Sequence, residues 1–495
     1  MEFTMIETGW LSLLPPIIAI TLALVTKEVY SSLFIGLFSG MLIYSFAGSG
    51  TIVSAVATTF DMMYAKIADN AYMIIFLALL WAVVVLVSRS GGSEAYGRWA
   101  QKRLKTRRSA AFATSLLGVL IFIDDGFNCL TVGTVMRPIT DRLRISREKL
   151  AYIIDATAAP VCIIAPVSSW AVAVASEVSE TGGFNIFLST IPYNLYALLT
   201  ILMVLFVCFT GLDFGPMKRA EEEAMKAEAQ AEEEAGKEVG KGRVIDLVLP
   251  ILVLIVCAIL GMAYVGGFFN GTSFSEAIGE NPTAGLTLGA FAGLVTAFIL
   301  YIPRKLMTPK EFIDNVVSGI GSIVPPMLIL VLSWSLGGVC RQLIGTGIFI
   351  SGFVSSSSLP LGFLPFLIFV VAALMSFSMG TSWGTFGMLI PIVTMICASD
   401  GAGQLLIPTL GATLAGSVYG DHCSPISDTT ILASTGASCK HIRHVETQMP
   451  YATLVAALCA VGYLIAGFTL TPWIALIVSA FLLIGALFIL HRRTA

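Results

Sequence analysis

The sequence predicts an all-α polytopic membrane protein, with about eleven transmembrane helices and two re-entrant hairpins arranged as two inverted repeats that contain two broken helices. Composition is the first reason. Hydrophobic residues fill 56% of the 495 positions and charged residues only 12%, with a mean hydropathy of +0.88, whereas a soluble chain of this length needs far more surface charge. The second reason is that the apolar residues gather in runs of about 17–25, the length that crosses a hydrocarbon core. The third is the placement of the basic residues, which cluster between those runs in an ordered way.

In chain order the predicted spans fall at 10–26, 29–47, 71–88, 148–175, 188–210, 246–267, 283–302, 322–343, 404–434, 450–468 and 472–490. The first begins at Trp10 behind an acidic lead with no Lys or Arg, the wrong charge for a cleaved signal peptide, so it reads as a retained span. Two further apolar blocks, 109–140 and 361–397, are interrupted by Asp124-Asp125-Gly126 and by Met379-Gly380-Thr381-Ser382-Trp383-Gly384. Polar backbone at membrane depth is tolerated where it lines a cavity, which predicts two re-entrant hairpins. An outside N-terminus and a cytoplasmic C-terminus put 26 of the 28 basic residues in cytoplasmic segments, leaving Lys66 and Arg341 outside. The basic stretches 89–108 and 137–149 flank the first hairpin, so the chain between them must enter and leave on one side. The expected location is the cell (inner) membrane, with the lipid bilayer as partner and no nucleic acid.

The chain also repeats itself. Leu33-Phe-Ile-Gly36-Leu-Phe-Ser-Gly40 matches Leu286-Thr-Leu-Gly289-Ala-Phe-Ala-Gly293, and Pro166-Val-Ser168-Ser169 matches Pro425-Ile-Ser427-Asp428. Each unit holds an odd number of spans, so the second is expected to be inverted relative to the first, the usual pattern of a secondary transporter. The first repeat is 1–210 and the second 246–495, the latter ending in an extra C-terminal span. Between them 211–245 is rich in Ala and Glu and reads as a charged, solvated cytoplasmic linker without apolar anchors.

Four interruptions are expected to converge near the membrane midplane: the two hairpin tips and the breaks in 148–175 and 404–434. Pro160 and Pro166 remove donors in the first broken helix, and Gly411, Gly416, Gly420 and Pro425 weaken the second. Half-helix ends and freed carbonyls there can hold a cation, and half-helix N-termini an anionic group. The candidate ion- and substrate-binding residues are Asp124, Asp125, Gly126, Asn128, Asp155, Thr157, Ser168, Ser169, Gly380, Thr381, Ser382, Asp421, His422, Ser424, Ser427, Asp428 and Thr429. Hard oxygen donors suit sodium, for which Asp125, Asn128, Asp421 and Asp428 are the expected ligands. Hydroxyls such as those of Thr157 and Thr429 have an alternative role, bonding carbonyls of neighbouring turns or helices. Asp124 and Asp155 have another, pairing with basic residues, and His422 either takes up protons or holds Asp421. His441-x-x-His444 has metal-like spacing but lies in a basic loop. The nine cysteines are scattered singly and read as reduced packing residues.

No Walker, nucleophile-elbow or HExxH motif occurs, and neither an enzyme nor a cofactor is expected; Na+ and H+ enter as transported or coupling ions. IFIDDGFNCLTVGTVMRPITD (121–141), SREKLAYIIDATAAP (146–160), PVSSW (166–170) and GDHCSPISDTTILASTGA (420–437) resemble the NhaC-type sodium/proton antiporter family along essentially the whole chain. The resemblance implies an elevator-type carrier of the ion-transporter superfamily, typically a homodimer, with 10–88 and 246–343 mainly in a fixed scaffold and the hairpins and broken helices in a moving transport domain. It implies sodium/proton antiport at buried aspartates. It equally allows sodium- or proton-coupled transport of a small carboxylate or amino acid, as in malate/lactate exchange.

Overall fold

The computed structural model describes residues 4–26, 28–178, 182–226, 242–274, 277, 280–349, 360–398 and 402–494. Its regular elements are all helical, and nine stretches among the described residues are long and apolar enough to cross a bilayer. Four helices open the chain: α1 (Leu14–Thr26), α2 (Val29–Ala47), α3 (Ile52–Asp69) and α4 (Ala71–Arg89). A polar α5 (Gly92–Arg103) leads to α6 (Arg107–Leu120) and α7 (Asp125–Arg142), the two arms of the first hairpin. Next come α8 (Arg147–Cys162) and α9 (Ser169–Val178), the halves of the first broken helix, followed by α10 (Gly183–Thr190), α11 (Leu195–Thr210) and α12 (Gly215–Lys226). The second part runs through α13 (Val244–Val265), α14 (Pro282–Tyr301), α15 (Pro309–Ser322) and α16 (Val324–Gly338). The second hairpin is α17 (Leu364–Met379) with α18 (Ser382–Cys397), and the second broken helix is α19 (Leu406–Cys423) with α20 (Asp428–Ala437). Two long helices close the chain, α21 (His441–Thr469) and α22 (Pro472–Thr494).

Small residues set the tight packing, as expected where apolar side chains gain little from leaving lipid. A Cβ on Gly36 would lie 2.7 Å from Ala19 Cβ, so α2 presses against α1; one on Gly289 would lie 2.6 Å from Ala258 Cβ, so α14 presses against α13. The two glycine motifs matched in the sequence thus each seat a second helix on a first.

Four expectations change. Helices α3 and α15 lie outside the eleven predicted spans. Both are amphipathic: α3 buries Ala55, Thr59, Met62 and Lys66 and exposes Val53, Phe60 and Tyr64, so no run in it is uniformly apolar. The expected span at 10–26 is a 3-10 turn followed by the 13-residue α1. In α19 the glycines do not weaken the helix, which is continuous from Leu406 to Cys423. Gly411 and Gly420 instead admit Tyr193 and the backbone of α17, and the break falls after them at Ser424–Ser427. The start of the linker is docked rather than solvated: Met217 and Ala220 on α12 are buried, Lys149 reaches Asp213 at 2.8 Å, and Arg107 pairs with Glu221. Residues 227–241 of the linker lie outside the described residues.

Candidate ion site

At the first tip, α6 stops at Leu120 and the chain turns through Ile121–Asp124 before α7 begins. Asp124 is the N-cap of α7, accepting from Phe127 N at 2.9 Å, and it also accepts from Ser169 Oγ at 3.3 Å across the first break. Ser169 N donates to Ile123 O at 3.0 Å, so tip and break are tied by backbone as well. Asn128 stitches the turn, its amide nitrogen donating to the carbonyls of Gly118, Ile121 and Thr157 at 2.7, 2.9 and 3.3 Å. Three facing carbonyls fix that orientation of the amide and leave its Oδ1 without a partner. Asp125 is the least committed carboxylate here: Oδ1 accepts from Gly126 N at 3.1 Å, and the side chain reaches the cavity described below.

Ser168 holds the first break, accepting from Ala171 N at 3.1 Å while donating to Cys162 O and Ala165 O. Thr157 bonds the carbonyls of Ile153 and Ile154 in its own helix, which is the alternative role the sequence allowed.

The second tip turns at Gly380, whose φ of +68° lies in the left-handed region that glycine enters without strain. A Cβ there would lie 2.5 Å from Ile426 O, so the tip touches the second break directly. Thr381 caps α18 through Gly384 N at 3.4 Å. Ser382 Oγ donates to Asp421 Oδ2 at 3.0 Å, and Thr429 Oγ1 donates to the same oxygen at 3.1 Å from beyond the break. Ser427 caps α20, accepting from Thr430 N at 3.1 Å, and Ser424 Oγ accepts from Ile426 N at 3.4 Å. Asp428 opens α20, but its side chain lies outside the described residues.

These groups surround a cavity of ≈ 140 Å³ whose wall includes Asp124, Asp125 and Gly126 from the first tip, Thr381 from the second and Thr429 from α20. Tyr30, Trp81, Pro325 and Ile329 from α2, α4 and α16 form the facing wall. Asp421 and Ser382 stand behind Thr429 and Thr381 rather than in the wall. The four predicted interruptions therefore do meet.

The sequence profile described as the Na+/H+ antiporter family matches residues 170–468. The chain belongs to that family. An uncharacterized protein of Haemophilus influenzae is 39% identical over 513 aligned positions, covering 100% of this chain and 98% of that one. The malate-2H+/Na+-lactate antiporter of Bacillus subtilis is 28% identical over a shorter stretch, 37% of this chain and 42% of that one. Among solved structures, the YdaH transporter of Alcanivorax borkumensis shares the fold, with a TM-score of 0.56, 13% identity and coverage of 83% of this chain and 88% of that one.

Behind the cavity the antiporter holds a second polar knot that the sequence only half revealed. Among the described residues Asp155 has no arginine partner. Its Oδ2 accepts from Gln448 Nε2 at 2.6 Å and from Thr430 Oγ1 at 3.2 Å, and lies 3.4 Å from His444 Nε2. His422 Nε2 is 3.9 Å from Asp155 Oδ1, and its Nδ1 faces Tyr196 Oη at 3.0 Å, so His422 turns toward Asp155 and away from Asp421. In the basic segment that precedes Asp155, Arg147 pairs with Asp141 at 3.1 Å. The two histidines of His441-x-x-His444 diverge, His441 going to Ser434 Oγ and Pro425 O. Among the described residues no cluster of His, Cys, Asp and Glu is placed to hold a metal by those groups alone. Gln448, Thr430 and Tyr196 escaped the sequence analysis, and His444 entered it only through its metal-like spacing. The available signal was the spacing of His444 and Gln448, one helical turn apart on the face of a long helix.

Proposed function

We propose that this antiporter exchanges Na+ for H+ at the cavity between the two hairpin tips, by an elevator-type movement of the hairpins and broken helices against the remaining spans. The observation that carries the reading is the cavity itself. Its wall holds two carboxylates at one tip, a hydroxyl at each of Thr381 and Thr429, and no counter-charge among the residues that line it. Carboxylates left so in a membrane interior are stabilised by a cation or a proton, and one group that takes either is enough to couple the two. Volume argues for ions. The space of ≈ 140 Å³ suits a cation with a few waters, at roughly 30 Å³ per water, rather than the 300 Å³ or more of a typical organic-ligand site.

The division of the cavity wall supports the elevator reading, because one side comes wholly from 10–88 and 246–343 and the other wholly from the hairpins and α20. The paired use of Gly36 and Gly289, and of Ser168 and Ser427 as caps, supports the inverted repeats 1–210 and 246–495. Sodium would be held by Asp125, with Asn128 Oδ1, Asp421 and Asp428 completing or backing the shell. The homodimer and the outside N-terminus belong to the same reading.

A second reading, coupled transport of a small carboxylate, draws on the name of the Bacillus subtilis relative. The deciding experiment imposes a sodium gradient on proteoliposomes and follows internal pH, with and without malate, lactate and a set of amino acids. Sodium-driven alkalinisation or acidification without any organic solute supports ion exchange. A pH change that appears only with one solute replaces it with the second reading.

A further inference from the structure

Glu177, near the C-terminal end of α9, is a buried ionisable group that the site above does not use. It is fully buried, and among the described residues neither Oε1 nor Oε2 has a hydrogen-bond partner. Ser333 Oγ on α16 is buried and likewise without a partner. The two face each other across Gly387 of α18, where a Cβ would lie 2.6 Å from Ser333 Oγ and 3.7 Å from Glu177 Oε1. Three helices therefore meet at this carboxylate, two from the proposed moving part and one from the proposed scaffold. Trp334 Nε1, donating to Ser176 Oγ at 3.3 Å, fastens the same junction.

Arg341 reaches back toward this junction: a Cβ on Gly337, one turn past Ser333 on α16, would lie 3.2 Å from its guanidinium. It sits on a π-helical turn, Val339–Leu343, a rare geometry that is frequent at functional sites. Arg341 and Val178, the neighbour of Glu177, both line a separate cavity of ≈ 510 Å³ that reaches the edge of the junction. A sodium ion would need several oxygen ligands, and the described residues offer one carboxylate and one hydroxyl, with a guanidinium a helical turn away. A proton needs a single lone pair.

We propose that Glu177 is a proton-binding site distinct from the sodium site, and that Arg341 is the group whose approach expels that proton as the two parts of the antiporter slide. In the arrangement described here the side chain is stable as the neutral acid, because an ionised carboxylate without donors is strongly disfavoured in such a setting. When α9 moves relative to α16, Arg341 and Glu177 come into contact, the carboxylic acid loses H+ to the adjoining cavity, and the resulting carboxylate pairs with the guanidinium. No other bond is made or broken. The inference rests on the proposed sodium/proton exchange and adds a proton carrier to it.

The test uses the full-length protein in liposomes with two readouts, radioactive sodium self-exchange and sodium-driven pH change. Glu177→Gln keeps the size of the side chain and removes no hydrogen bond, so it is expected to retain sodium self-exchange while the protons moved per sodium fall about twofold, the cavity carboxylate still exchanging its own. Arg341→Gln is expected to keep the proton bound and move the pH dependence of exchange to higher pH. A Glu177→Gln protein that moves protons at the wild-type rate overturns the assignment, as does an Arg341→Gln profile that stays in place, even where Glu177→Gln gives no folded protein. Wild-type liposomes without any sodium-driven pH change overturn the exchange reading itself, and this inference with it.

Discussion

At the first hairpin the tip brings the carboxylate and the break brings the hydroxyl, Ser169 to Asp124; at the second the tip brings the hydroxyl and the helix before the break brings the carboxylate, Ser382 to Asp421. Both contacts join a tip to a broken helix, and both breaks are capped by a serine three residues ahead of the amide it receives. The backbone plan is shared while the charge changes sides. The difference has a functional consequence. In the first half the carboxylates Asp124 and Asp125 stand in the cavity wall, and in the second the wall shows hydroxyls, Thr381 and Thr429, with Asp421 one step behind. On the proposed reading, a cation entering the cavity would meet charge from the first side and, among the described residues, neutral oxygen from the second.

The largest effect is expected from removing charge on the exposed side. Asp125→Asn takes away the least committed carboxylate in the wall and should lower sodium-driven transport by about 100-fold, since losing one partner of a buried ionic contact costs about 3 kcal/mol. Flux in proteoliposomes from protein that still elutes as a single folded species is the measurement. Wild-type sodium affinity in this variant would move the ion to the other half of the cavity.

The next effect compares the tips as backbone. Gly380→Ala adds a methyl to a left-handed residue already in contact with Ile426 O, and should cost about 2–3 kcal/mol. Gly126→Ala should stay within about 0.5 kcal/mol, because its nearest neighbour, Leu432 Cδ1, would be 3.4 Å away and its φ is not positive. Thermal unfolding in detergent reads both. Equal losses would show that the first tip is as tightly constrained as the second.

Asp421→Asn is expected to be milder than Asp125→Asn, about tenfold in transport, because Asp421 acts through Thr429 and an amide oxygen in the place of Oδ2 still accepts both hydroxyl bonds, losing only their charge-assisted part, about 1 kcal/mol each. A collapse as deep as that of Asp125→Asn would place Asp421 in direct contact with the ion.

The tips and breaks were legible because polar punctuation such as Asp-Asp-Gly stands out in an apolar run, and Pro166 and Pro425 do sit inside the breaks. What remained hidden has physical reasons. A glycine in a membrane helix serves close packing as readily as it permits a break, so Gly416 and Gly420 pointed to the wrong place. Amphipathic α3 and α15 average out in a search for uniform apolarity. The ends of apolar runs hide single polar residues, and so Glu177 and Gln448 were passed over although each is fully buried.

The smallest effects test the shared plan most directly. Ser168 and Ser427 each accept one amide at 3.1 Å, three residues on, at the start of the half-helix that follows a break. A capping hydroxyl replaced by Ala typically costs about 1 kcal/mol, the loss expected for Ser427→Ala. Ser168 Oγ also donates back to Cys162 O at 2.8 Å and Ala165 O at 2.9 Å, tying α9 to the end of α8, whereas among the described residues Ser427 Oγ otherwise has only the hydroxyl of Thr429 nearby at 3.2 Å. Ser168→Ala should therefore cost somewhat more, about 1.5–2 kcal/mol, since the extra bond is also lost. Replacement by Thr keeps the oxygen in both places and should restore most of the stability. If Ser427→Ala costs more than Ser168→Ala, the cap is not the common element, and the likeness of the two breaks is one of sequence without equal mechanical work.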